Sequence, residues 1–127
     1  MIDNSFPKEE RLRSKKQIQR LFDKGEKFHI SPVQVLYYAP GLVLERGVQI
    51  LVGAPKKRFR KAVERNKVKR LLREAYRLER NNFGEREESL HIALLYTHDK
   101  IQSLNNLRVI LREILERIDQ EIISSES

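Results

Sequence analysis

Apolar positions change period several times along this chain, and the changes divide it into elements. Ile18, Leu21 and Phe22 stand at i, i+3 and i+4, one face of a short helix. Ser14, with Gln17 three residues on, forms a weak capping box before it, and Gly25 supplies a stop. So short a helix must dock through its apolar face. From Phe28 the helical spacing is gone. Phe28 to Ile30 is a short extended piece interrupted by Ser31-Pro32, and Val33 to Ala39 is a β-branched and aromatic strand. Pro40-Gly41 is a turn pair. Leu42 to Glu45 and Val48 to Gly53 read as further strand, one kinked or two separate, with Arg46-Gly47 as a bulge or turn. Pro55 ends that run, and Ala62 to Arg80, free of Gly and Pro, reads as a long helix. A polar loop over 81–89, containing Gly84, leads to Leu90–Thr97, an apolar run of strand length. Ser103 then caps a helix striped by Leu107, Ile110, Leu111, Ile114, Leu115, Ile118 and Ile122. Residues 1–13 read as an extended arm, and 123–127 are expected to fray.

The order is one helix, two or three strands, a long helix, a strand and a long helix. It predicts an α+β fold with helices packed on a small sheet. At 127 residues the chain is the size of one domain spanning 1–127 with a single core.

Charge changes the picture most at one place. Lys56 to Arg80 holds twelve basic residues and three acids, a net +9, whereas the whole chain carries +8. Everything outside that segment is nearly neutral, so one intensely positive element rides on a neutral scaffold. Turning the helix by 100° per residue puts Val68, Leu71, Leu72, Ala75 and Tyr76 on one face, to be buried. Ala62, Asn66, Lys69, Arg70, Arg73, Arg77 and Arg80 fall together beside it, Arg65 sits at the border, and Glu64 and Glu74 lie on the far flank. Ordinary solvated helix faces mix signs at i, i+4, but Lys69, Arg73 and Arg77 stack like charges. That self-repulsion asks for a polyanion, with nucleic acid ahead of a membrane surface.

Other chemistry is excluded or unsupported. There are no cysteines, so disulfides and thiolate-ligated zinc are out, and a reducing compartment, the cytoplasm, is expected. His29, His91 and His98 are far apart in sequence. No apolar stretch approaches the roughly 20 residues of a membrane span. No phosphate-binding glycine loop and no nucleophile–base pair is legible, and no catalytic or metal-ligating residue is assigned to the protein.

Lys61-Ala62-Val63-x-Arg65-Asn66-x-x-Lys69-Arg70-x-x-Arg73-Glu74 resembles the RNR motif of the bacterial ribonuclease P protein subunit. Leu12, Ile18, Phe22 and Gly25 resemble that family's first helix, VQVLYY its leader-facing strand, and Val52 to Arg58 the strand end feeding the motif helix. The resemblance implies a fold like domain 2 of ribosomal protein S5, order αβββαβα, with a left-handed βαβ crossover. It implies that the protein binds a catalytic RNA and the 5′ leader of precursor tRNA. The RNA would carry out leader removal with Mg²⁺ held mainly by RNA, in a complex of one protein monomer and one RNA. It implies RNA contacts for Lys57, Arg58, Lys61, Arg65, Asn66, Lys69, Arg70, Arg73 and Arg77, and leader contacts for Phe22 and Tyr37 in one cleft. Ile18 stands where many relatives have a second aromatic, Arg60 replaces a common Gly, and Thr97-His98 replaces a basic residue at the last strand's end. Two other classes stay open on the residues alone: a ribosomal RNA-binding protein of similar fold, and a stand-alone nuclease.

Overall fold

The computed structural model describes residues 10–40, 47–82 and 89–126. Helix α1 (Lys15–Lys24) is followed by strands β1 (Glu26–Ile30), β2 (Val33–Tyr38) and β3 (Gly47–Gly53). Helix α2 (Ala62–Glu79), a short 3-10 turn at Arg80–Asn82, strand β4 (Ser89–Tyr96) and helix α3 (Leu104–Glu126) complete the order. The strands form one mixed sheet in the order β1-β2-β4-β3. β1 and β2 make an antiparallel hairpin across the cis Ser31–Pro32 bond. β4 pairs antiparallel with β2 and parallel with β3. The α+β expectation holds in class and in element order.

The two faces of the sheet are filled differently. One carries the larger core, where Val33, Val35, Tyr37, Ile50, Ile92 and Leu94 meet Val68, Leu72, Ala75 and Tyr76 of α2 and the Leu107–Ile118 stripe of α3. The other carries a small cluster in which Leu12 and Leu21 cover Leu36 and Ala93, with Ile18, Tyr38, Leu51 and Leu95 packed around them. Strands buried on both faces lose the alternation that would mark one face as core. β4 shows this plainly, as its only incompletely buried residue is Leu95.

The local signals are realised with two changes of detail. Ser14 Oγ accepts from the Gln17 amide at the start of α1. Gly25 ends that helix without a left-handed turn, at φ −69°. Its role is space, because a Cβ there would stand 2.4 Å from the Leu21 carbonyl oxygen and 2.9 Å from that of Tyr37. Ser103 Oγ accepts from the Asn106 amide below α3. That helix runs on to Glu126, in a stretch with no Gly or Pro to stop it.

Leu42–Glu45 and Arg46 lie outside the described residues, as does most of the 81–89 loop. Gly47, at the start of β3, has φ +97° and no neighbour near a built Cβ, so conformation alone favours glycine there. The arm is partly anchored. Arg11 forms an isolated parallel bridge with Ile50, and the Leu12 amide donates to the Ile50 carbonyl at 2.9 Å. This covers part of the free edge of β3.

Candidate nucleic-acid interface

The basic helix is held by its apolar side. Val68, Leu72, Ala75 and Tyr76 are buried as expected, while Leu71 is half-buried against the core. Just before it, Phe59 is buried and its ring lies 5.8 Å from that of Tyr96. This anchor fixes the turn carrying Lys56, Lys57 and Arg58, in which the Arg58 and Phe59 amides both donate to the Pro55 carbonyl. Arg65 reaches back from the first turns of α2 and donates from Nη1 to the carbonyls of Phe59 and Arg60, at 2.8 and 2.9 Å. A guanidinium has five N–H donors, so Arg65 can brace this turn and still present donors outward.

Along the outer side, Lys57, Arg58, Lys61, Asn66 and Arg70 are exposed, and Lys69, Arg73 and Arg77 are half-exposed. The row expected from the helical wheel is therefore brought together on one surface with the preceding turn. It is not uniformly free of acid. Glu74, placed by the wheel on the far flank, lies close enough to pair with Arg77 through bonds of 3.1 and 2.5 Å. The hydrogen bond from Arg77 holds the Glu74 carboxyl below its usual range, and the same bond raises Arg77. Arg58 is paired with Asp99 at 3.0 Å. Burial, and then the nearby Arg11 guanidinium, lower Arg73 from its ordinary value.

The third acid of the segment behaves unlike the others. Glu79 is 1% exposed, at the α2–α3 junction. Arg108 Nε donates to it at 2.6 Å and Arg112 Nε at 2.9 Å. The bond from Arg112 is the main reason its carboxyl lies below the usual range. The wheel gave no sign of this, since both arginines sit on the polar side of α3.

The two aromatic residues expected to share a cleft are on opposite sides of the sheet. Phe22, on α1, is 38% exposed, the accessibility a stacking residue needs. Tyr37 is buried in the larger core, with its ring edge-on to Phe28 at 6.2 Å and its hydroxyl donating to Glu121 of α3 at 2.5 Å. Burial, and then Glu121, push its phenol above the ordinary value. The cleft assignment of Tyr37 is therefore corrected. Side chains alternate along β2, and it is Leu36 and Tyr38 that face α1. The run VQVLYY is apolar at nearly every position, so its phase could not be read.

At the end of β4, Thr97 donates through its amide and its hydroxyl to the Pro32 carbonyl, at 2.8 and 2.9 Å. His29 Nε2 lies 2.9 Å from Thr97 Oγ1, and His98 Nε2 lies 2.8 Å from Ser31 Oγ. The residues that replace a basic side chain here tie the last strand to the hairpin turn. Arg117 lies over the Phe28 ring at 4.3 Å and pairs with Glu121 at 2.9 Å.

The model of the ribonuclease P family matches residues 6–119. The chain belongs to the ribonuclease P protein family. The ribonuclease P protein component of Porphyromonas gingivalis is 34% identical over 122 residues, covering 93% of this chain and 89% of the relative. That of Chlorobaculum tepidum is 33% identical over 128 residues, covering 91% and 83%. Among solved structures, the RNase P protein from Thermotoga maritima superposes with a TM-score of 0.70 at 22% identity, over 85% of this chain and 96% of the other. The Staphylococcus aureus RNase P protein gives 0.68 at 20% identity, over 87% and 94%. These structures share the fold. Membership in the ribonuclease P family makes this an RNA-binding protein of tRNA processing. Among the described residues, no helix is long and apolar enough to cross a membrane.

Proposed function

We propose that this chain is the protein subunit of ribonuclease P, gripping the catalytic RNA along the outer row of α2 and the turn before it. In this reading Lys57, Lys61, Asn66, Lys69, Arg70 and Arg73 meet RNA phosphate and ribose, while Arg65 braces the turn. Arg58 and Arg77, already paired with acids, add less. Phe22 stacks on a base of the 5′ leader of precursor tRNA, and Tyr37 is left out of that contact. The protein assists Mg²⁺-dependent removal of the leader in the cytoplasm, as one monomer per RNA, and the RNA carries the chemistry.

The observation that carries the reading is the basic row itself: exposed or half-exposed, largely unpaired with acid among the described residues, and mounted on a helix whose opposite face is already used by the core. Arg is suited to a phosphate through its planar fork of donors. Among the described residues, no three His, Asp or Glu side chains are grouped as a cation would need. In this reading the Mg²⁺ is held mainly by RNA.

Reconstitution tests this. The protein alone should leave precursor tRNA intact, and with the catalytic RNA at physiological Mg²⁺ it should restore cleavage at the mature 5′ end. Failure to stimulate that RNA would refute the assignment. Cleavage by protein alone, lost with one acidic substitution, would make it a nuclease in its own right. Stable sedimentation with ribosomal subunits and no effect on leader removal would make it a ribosomal protein.

A further inference from the structure

The arm before α1 brings a cation to the basic helix from outside it. Arg11 and Ile50 are bridge partners, so their side chains share a face of the sheet, and Ile50 belongs to the core beneath α2. Leu12, the next residue, is buried in the small cluster on the other face. Alternation therefore turns Arg11 toward α2. Glu10, its other neighbour, forms an ion pair with Arg80 at the end of that helix. The segment is tied at three points: a backbone hydrogen bond, a buried leucine and an ion pair. Between them it places Arg11 on the α2 side of the sheet, near enough that its charge acts on Arg73, which lies two turns before Arg80 on the same line of the helix.

Two like charges thus act on one another across the arm and α2. Among the described residues, neither has a carboxylate partner. The Nε of Arg11 is shielded from solvent and has no hydrogen-bond partner. Like charges facing one another, with a shielded donor unsatisfied, are relieved by an anion that accepts from both. A tetrahedral oxyanion fits, because each fork can take one or two of its oxygens.

We propose that Arg11 and Arg73 form one shared phosphate site for the catalytic RNA, making the arm part of the RNA-gripping surface. The site extends the basic row of α2 sideways onto the edge of β3. It rests on the RNA-binding reading above. In this arrangement half-exposed Arg73 is the inner wall of a site beside the arm, whereas Arg70 is an open surface charge.

The test is binding of the full-length protein to the catalytic RNA, without precursor tRNA, over a series of salt concentrations. Arg11→Gln, Arg73→Gln and the double variant are compared. Each single change should weaken binding about tenfold, as loss of a charged hydrogen-bonding partner does. Each should flatten the log–log salt dependence by up to about 0.7–0.9, one phosphate's share. The double variant should do little more than either single one. Arg11→Lys, which keeps the charge but not the fork, should recover the slope but only part of the affinity, and it covers the case in which Arg11→Gln fails to fold. Additive losses, with a slope change twice that of one variant, would overturn the shared site in favour of two independent contacts. Unchanged binding by Arg11→Gln would remove the arm from the surface while leaving the RNA reading intact. A wild-type protein that does not bind the RNA would overturn both.

Discussion

Two groups of charges lie on the same helix and have opposite fates. At the end of α2, Glu79 is sealed between α2 and α3 and clasped by two arginines. Earlier on the same helix, Arg70 and Arg73 lie at or near the surface with no acid partner among the described residues. Composition treats these residues alike. The difference is pairing: the Glu79 group is closed, with its charge already answered within the fold, and the row is open, with its charge answered only by something from outside. Stability should therefore respond to changes in the first group, and affinity for a polyanion to changes in the second.

The largest effect should come from opening the closed group. Glu79→Gln should destabilise the fold by about 2 kcal/mol, less than for a fully buried pair because Arg108 and Arg112 can turn to water. Thermal denaturation would register this, and the salt slope of RNA binding by the folded fraction should not move.

Acid should reproduce that loss in the wild type. Native pairing holds the Glu79 carboxyl below its usual range, so the unfolded chain takes up protons first as pH falls. The contribution is complete above roughly pH 4–5 and drains as pH drops through the lowered native value. Glu74 and Glu121 shift in the same direction and add to the acid sensitivity. A denaturation series against pH should be flatter for Glu79→Gln than for wild type; parallel curves would mean Glu79 is not titrating in this way.

Arg65→Lys blurs the comparison by design. One ammonium cannot easily bridge the two carbonyls that Arg65 braces, so about 1 kcal/mol of stability and part of the RNA affinity should fall together. If only affinity falls, the brace is not structural. Arg70→Gln should show the pure form of the open group, with stability unchanged within about 0.5 kcal/mol and the salt slope flattened by one contact. Arg77→Gln should have the smallest effect on RNA binding, because Glu74 already offsets its charge. An Arg77 effect equal to that of Arg70 would show that RNA draws Arg77 away from its partner.

What could be read from the chain follows the same division. Periodicity and caps located every α-helix and strand of the described residues, though not the 3-10 turn at Arg80–Asn82, since Ser14, Gly25, Pro55 and Ser103 act locally. The buried and basic sides of α2 were legible because helical spacing alone sets them. Contacts between elements were not. Tyr37 was misplaced because a strand covered on both faces carries no phase. The burial of Glu79 depends on Arg108 and Arg112, about thirty positions away, and the approach of Arg11 to α2 depends on a bridge to β3. Neither leaves a mark within its own stretch of sequence.

The strand order has a consequence for how the molecule comes into being. β4 lies between β2 and β3, yet it is made after both of them and after α2. Until it emerges from the ribosome, β1 and β2 are the only two of these four strands that can pair, and β3 has only the arm at its edge. The polycationic helix is thus synthesised before most of the floor it rests on exists. During that interval its apolar side has little to cover it, and its positive side is already drawn to nucleic acid. Arrival of Ser89–Tyr96 joins both halves of the sheet at once, so assembly of this fold waits on its late central strand.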